Sequence, residues 1–349
     1  MLFSRIISSP RTMSPSQKTG MAQKVSIPLL LFYLTAWYVL NVQYNLYNKK
    51  ILNAYDFPYT TALIQLGSGL LYIIPKYALG FAKWPSFSSS NISLLSFFHG
   101  GGHYATVMSL GAGSVAFANV VKAGEPLCSV LMGFLFNGAI PALMELIALL
   151  PIIAGVMIAS MAEPEFSMFA FGCAMLSNFL FAARGTYAKI CMEKGPKMSG
   201  ADLFAMNTIF AFVLMAPITF VMEGQSAITG FEQLTTGKAP LDYMALINGE
   251  LDVKKGKPSP SYFIAYQLVC GLYYYFYNEM AFMVLDLLDP VGQAVGNTVK
   301  RVVIIVAGTI VFNKPLTTNG IIGSSVAIGG VLLYSLVKSG ALSSKKKQS

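Results

Sequence analysis

Apolar stretches of about 20 residues, the length that crosses a bilayer as a helix, recur along almost the whole chain. They cover 27–47, 57–80, 91–112, 115–137, 141–162, 166–188, 201–222, 261–285, 290–312 and 317–338. Inside hydrocarbon every backbone N–H and C=O must find its partner within the segment, so stretches of this kind fold as helices. Turn residues separate them, among them Asn53 to Pro58, Gly138 to Pro141, Glu163–Pro164, Asp286 to Pro290 and Asn313 to Pro315. The expectation is an all-α membrane protein of ten transmembrane helices, with one long polar loop at 224–260. Composition agrees: 55% of the residues are hydrophobic and 11% charged, whereas soluble domains are about 25% charged.

The 24 basic residues outnumber 15 acidic ones. They flank apolar spans instead of lining one surface, which argues against nucleic acid as the partner. With ten spans both termini share a side, and 13 Lys and Arg fall there, including Arg5, Arg11, Lys76, Lys338 and Lys345 to Lys347. The other side holds seven, among them Lys49, Lys50, Lys254 and Lys314. The excess places the termini on the more positive side. Residues 1–26 are basic, rich in Ser and Thr and free of acid, a pattern that fits an organelle transit remnant or a basic tail; 339–349 form a second basic tail. Cys128, Cys173, Cys191 and Cys270 show no metal or redox spacing and read as small buried hydrophobes.

An internal repeat divides the chain into 27–162 and 163–338. Asn119-Val120-Val121-Lys122 parallels Asn297-Thr298-Val299-Lys300, Phe136–Asn137 parallels Phe312–Asn313, and Gly155 to Ser160 parallels Gly330 to Ser335. Tyr47-x-Lys49 has its echo in Tyr187-x-Lys189. Five spans in each half is an odd number, so the halves run in opposite senses across the membrane. Two inverted five-helix repeats with a site at their midplane interface are the architecture of secondary transporters.

Four cations remain inside spans: Lys122, Arg184, Lys300 and Arg301. Each costs about 2.5–3.5 kcal/mol at the centre of a membrane helix, so each needs an anion to meet it. The repeat makes Lys122 and Lys300 counterparts converging on one cavity. Lys offers a point charge and Arg a fork that grips two oxygens. Lys300 and Arg301 point about 100° apart on a helix and can flank an anion. Glu125 follows Lys122 by three residues and can pair with it when the site is empty, and Pro126 should kink that helix. Arg184 reads either as a substrate contact or as a structural partner of Glu279 or Glu125. Four cations against those two acids leave an excess that a phosphate monoester, at about −1.5 to −2, roughly cancels. That balance favours exchange over leak, since only the loaded cavity is neutral enough to close.

Polar neighbours complete the candidate site. His99 and His103 share a helical face, but a third metal ligand and an HExxH-type neighbour are missing, so no metal is expected. His103 and Thr106 read instead as cavity hydrogen-bonders, and one or two of Tyr273, Tyr274, Tyr275 and Tyr277 as hydroxyl donors. Neither paired catalytic carboxylates nor a nucleophile elbow is visible, which argues against an enzyme and gives no reason to expect a cofactor.

Three segments carry a resemblance: Tyr38-Val39-Leu40-Asn41-Val42-Gln43-Tyr44-Asn45, Val121-Lys122-Ala123-Gly124-Glu125-Pro126, and Gly296-Asn297-Thr298-Val299-Lys300-Arg301-Val302 followed by Phe312–Asn313. From Ile27 to Lys338 the chain resembles the plastidic phosphate translocators of the drug/metabolite transporter superfamily. The resemblance implies a multi-pass plastid membrane antiporter that exchanges inorganic phosphate for phosphorylated C3 compounds, with other sugar phosphates as further candidates. It also implies that Thr106, Lys122, Tyr277, Lys300 and Arg301 hold the phosphate, while His103 and Arg184 contact the rest of the substrate. A nucleotide-sugar carrier of the ER or Golgi shares the superfamily fold, and the terminal Lys346-Lys347-Gln348-Ser349 matches a dilysine ER-retrieval pattern.

Overall fold

The computed structural model describes residues 27–86, 89–164, 166–194, 200–237, 242–251, 256–287 and 290–339. The expected basic tails, apart from Ser339, lie outside these residues, as do Lys197, Lys238, Lys254 and Lys255. The chain is all-helical, and the described residues contain no strand. Among the described residues thirteen helices follow one another: α1 (Ile27–Ala54), α2 (Pro58–Ala78), α3 (Ser89–Ala112), α4 (Val115–Lys122), α5 (Glu125–Asn137), α6 (Leu143–Met161), α7 (Met168–Lys194), α8 (Gly200–Met222), α9 (Gly224–Leu234), α10 (Tyr243–Ile247), α11 (Pro260–Leu287), α12 (Pro290–Val311) and α13 (Thr318–Lys338).

Among the described residues five segments are long and apolar enough to cross a membrane by length and composition: Val115–Asn137, Leu143–Met161, Met168–Ala188, Ala201–Met222 and Thr318–Lys338. Helices α1, α2, α3 and α11 furnish polar side chains to the interior. Asn41, Asn45, Asn48, Gln65, His99, His103, Gln267 and Glu279 are all buried.

The closest helix pair is α6 with α13. A Cβ on Gly155 would stand 2.2 Å from the backbone N of Ala327, and one on Gly323 would stand 2.4 Å from that of Ala159. Small residues let the two backbones touch, which is how apolar helices associate where no hydrophobic effect drives them together. Around this pair, α3 packs on α7 and α8, α11 packs on α1 and α2, and α12 lies against α4, α1 and α13.

Three local features depart from the expected spans. The stretch 115–137 is two helices, not one kinked helix: α4 stops at Lys122 and α5 starts at Glu125. Pro126 sits in the first turn of α5, where its missing N–H costs nothing. The Val121 carbonyl near the end of α4 accepts a hydrogen bond from Asn178 Nδ2 of α7 at 2.9 Å.

Helix α1 runs on to Ala54 instead of ending at 47, and this corrects the placement of Lys49 in a loop. Lys49 is only 8% exposed. Its Nζ donates to the carbonyls of Leu110 at 2.9 Å and Gly111 at 3.1 Å, in the last turn of α3. Terminal helix carbonyls lack partners in their own helix and attract a cation.

The loop expected at 224–260 contains α9 and α10 and is fastened to the helix ends. Tyr47 Oη donates to Leu246 O at 2.6 Å and Ile247 O at 2.9 Å, and Lys50 Nζ donates to Gly249 O at 2.6 Å. Gly249 has φ +67, and a Cβ there would meet the Tyr47 ring at 2.8 Å. Both facts require glycine.

Candidate functional site

The polar faces of α1, α3, α7, α11 and α12 meet the break between α4 and α5 around a cavity of about 180 Å³. Thr106, Lys122, Arg184, Tyr277, Lys300 and Arg301 all line it. These six were singled out from five separate stretches of sequence, and the fold brings them together. The seventh, His103, is not among the lining residues. It lies 4.0 Å, ring to ring, from Tyr274, whose side chain reaches the cavity, while His99 lines the cavity itself.

Each cation has a distinct support. Lys122 Nζ donates to Thr106 Oγ1 at 3.0 Å. Thr106 in turn bonds the Gly102 carbonyl at 2.9 Å and Ser177 Oγ at 2.7 Å. Phe181 presents its ring to two cations, with Lys122 Nζ 5.2 Å and Arg184 Cζ 4.9 Å from the centroid. Such cation–π contacts hold a cation while leaving its N–H donors available. Lys300 rests in the same way on Trp37, at 4.6 Å.

Arg184 Nη1 lies 2.9 Å from His99 Nδ1. A guanidinium only donates, so Nδ1 accepts and the ring proton sits on Nε2, facing Tyr274 Oη at 3.3 Å. This corrects the structural-partner reading of Arg184, whose partner here is a histidine and not an acid. Glu279 lies 4.0 Å from Lys76, and Glu125 lies 3.4 Å from Arg301 Nη2. The expected Glu125–Lys122 pairing is likewise replaced. The break carries Glu125 onto a second helix, away from the Lys122 face it would have shared on a continuous one. Arg301 Nη1 also reaches the Asn119 carbonyl at 3.5 Å.

Four cations therefore converge on one small cavity, and Glu125 is the sole acid among the described residues that line it. The chemistry this arrangement can perform is to grip an oxyanion through several charge-assisted hydrogen bonds at once. A second cavity of about 380 Å³ adjoins it. The two share Glu125, Tyr277, Asn278, Lys300 and Arg301, and the second extends to Tyr334 and Lys338 at the end of α13.

Sequence reasoning missed Phe181, Trp37, Ser177 and Asn178. Phe181 had a usable signal, since it precedes Arg184 by three residues and so shares its helical face. The others are defined by contacts across the bundle.

Comparison with known proteins agrees with this geometry. Residues 29–335 match the Triose-phosphate Transporter family. Phosphoenolpyruvate/phosphate translocator 2, chloroplastic, of Arabidopsis thaliana is 33% identical over 305 residues, covering 86% of this chain and 75% of that protein. Triose phosphate/phosphate translocator, non-green plastid, chloroplastic, of Brassica oleracea var. botrytis is 31% identical, over 94% of this chain and 77% of its own length. Glucose-6-phosphate/phosphate translocator 2, chloroplastic, of Arabidopsis thaliana is 31% identical, over 91% and 76%. With nearly its whole length matched in this way, the chain belongs to the Triose-phosphate Transporter family, among the plastidic phosphate translocators.

Proposed function

We propose that this protein is an antiporter that exchanges inorganic phosphate for phosphorylated C3 compounds across a plastid membrane by alternating access. The observation that carries the proposal is the convergence of Lys122, Arg184, Lys300 and Arg301 on one cavity of about 180 Å³, with a single carboxylate among the described lining residues. Such a site holds uncompensated positive charge until a divalent anion enters it. In this reading Thr106, Lys122, Tyr277, Lys300 and Arg301 hold the phosphate. Arg184 takes the far end of the substrate, such as the carboxylate of 3-phosphoglycerate or phosphoenolpyruvate. His103 supports that end from behind Tyr274. The relatives named above are all chloroplastic phosphate translocators, which favours this reading over a nucleotide-sugar carrier of the ER or Golgi.

The architecture that goes with it is ten spans in two inverted repeats, with α4 and α5 counted as one span and 27–162 and 163–338 as the halves. The pattern of helix contacts supports it. Advancing every span by five turns the α3–α7 contact into α11–α1, α3–α8 into α11–α2, and α5–α7 into α12–α1. The same operation maps α6–α13, α2–α8 and α4–α12 onto themselves. Alternating access then consists of the halves rocking about the central site.

The test is exchange in proteoliposomes loaded with phosphate, with labelled phosphate outside and triose phosphate, 3-phosphoglycerate, phosphoenolpyruvate, pentose phosphate and hexose phosphate as competitors. C3 compounds are expected to compete best. Absence of phosphate exchange by well-folded protein sinks the proposal, and rapid uptake into vesicles lacking counter-substrate contradicts the exchange mechanism.

A further inference from the structure

The second cavity, next to the central one, is built for an anion in its own right. Its charged lining residues are Lys300, Arg301 and Lys338 against Glu125 alone, and Glu125 is already engaged by Arg301 at 3.4 Å. Among the described residues neither Lys300 nor Lys338 forms an ion pair. Instead each ammonium is held over an aromatic face, Lys300 over Trp37 at 4.6 Å and Lys338 over Tyr334 at 5.4 Å. A ring fixes an ammonium without consuming its N–H groups, which stay available to a ligand. The same two aromatic residues carry buried donors with no acceptor: Trp37 Nε1 and Tyr334 Oη lack hydrogen-bond partners although the residues are only 3% and 4% exposed. Buried polar groups are nearly always satisfied, so the two residues that support the ammoniums are short of acceptors, although both donor atoms are themselves sealed from the cavity.

We propose that this cavity is an outer subsite for inorganic phosphate or a phosphate monoester, held between Lys338 and Lys300 before it enters the central clamp. Lys300 lines both cavities and hands the anion from one to the other. Because one ammonium serves both positions, filling the centre weakens the outer site and clears it for the outgoing anion. Among the described residues that line the two cavities, Lys338, exposed at the end of α13, is the cation nearest the face where that helix ends. The inference rests on the phosphate-exchange reading above but assigns residues that the central clamp does not use.

The experiment uses the full chain in proteoliposomes sorted by orientation through a tag on the C-terminus, with labelled phosphate outside and unlabelled phosphate inside. With the C-terminal face outside, Lys338→Gln is expected to raise the KM for phosphate about threefold or more and to flatten its dependence on salt, with the maximal rate within about twofold of wild type. Lys338→Arg restores the KM, and Tyr334→Phe shifts it in the same direction by less. With the opposite face outside, the KM for phosphate is unchanged. An unchanged KM at the C-terminal face, or an equal rise at both faces, overturns the outer subsite while leaving exchange itself standing. Loss of exchange by the wild-type protein overturns the functional reading, and the subsite with it.

Discussion

The two ends of the bundle that flank the central cavity differ. Toward the end of α13 the central cavity runs into a space of about 380 Å³ lined by cations and polar side chains. Toward the opposite end it meets packed apolar residues: Tyr47, Ile51, Leu52, Val107, Leu110, Val115 and Ile304 are each 3% exposed or less. At that end Lys49 ties α1 to the last turn of α3, and α10 is strapped across α1 by Tyr47 and Lys50. A cavity of about 310 Å³ there, lined by Ser114, Phe117, Glu163 and Lys314, shares no lining residue with the central one. Among the described residues one end is thus shut by packed side chains, and the other continues into a second cavity. In a carrier that alternates, the contacts of the shut end belong to one conformation only, whereas those at the centre and between α6 and α13 must survive in both.

The centre serves both ends equally, so damage there should be the largest and should not distinguish between faces. On the assignment proposed above, Lys122→Ala and Arg301→Ala each remove a cation that grips the phosphate. Exchange should fall by about 100-fold or more from either face, with little change in thermal stability. Retained exchange in both variants removes these residues from the phosphate site. The α6–α13 contact is the structural counterpart of this test. Gly155→Leu drives a side chain into the backbone of α13, which cannot move aside, and overpacking of this kind costs about 1–3 kcal/mol even where neighbours adapt. Monodisperse protein should be lost in size-exclusion chromatography. Gly172→Ala in α7, where nothing lies within 4 Å of the added Cβ, should leave the profile unchanged.

Lys49→Met attacks the shut end alone. It keeps the aliphatic stem but leaves the Leu110 and Gly111 carbonyls without their cation, and hydrogen bonds to charged groups contribute about 1.5–3 kcal/mol. That is enough to move an equilibrium between the two openings about tenfold or more. A cysteine placed by Leu52→Cys, 3% exposed in the shut arrangement, should react with a water-soluble maleimide correspondingly faster in the Lys49→Met background. Equal reactivity in both backgrounds means that Lys49 stabilises the fold and not one of its two openings.

Most of the helices were legible because apolar length is a local property, and Lys122, Lys300 and Arg301 stood out because charge inside such a stretch is rare. What could not be read was which partner each polar group chose. Lys49 looked like a loop charge because its acceptors, the carbonyls of α3, lie 61 and 62 residues along the chain and carry no side-chain signature. Arg184 was matched to acids by sign, yet Glu279 sits by Lys76 and Glu125 by Arg301. His99 and His103 share a face, and the turn of the helix alone could not say which would reach the cavity and which would lie behind Tyr274. Pro126 announced a disturbance after Lys122, but that it would be a full break depended on Asn178 arriving from α7. Helix α9 was hidden by the Gly, Ser and Thr that make 224–234 look like a loop.

The mildest probe of the shut end is Tyr47→Phe. The ring remains, and with it the stack on Tyr266 at 4.6 Å and the edge contact with Tyr273 at 5.2 Å. The hydroxyl bonds to Leu246 and Ile247 are lost. A typical hydrogen bond contributes about 0.5–1.5 kcal/mol net, so local release of α10 should become about two- to tenfold more frequent. Cleavage within 243–250 by a protease added on that side should speed up by the same factor, while phosphate exchange at saturating substrate stays near wild type. If cleavage is unchanged while exchange drops, the hydroxyl acts on the transport cycle through Tyr266 and Tyr273 and not as a fastening for the loop, and the shut end is held by Lys49 and its apolar packing alone.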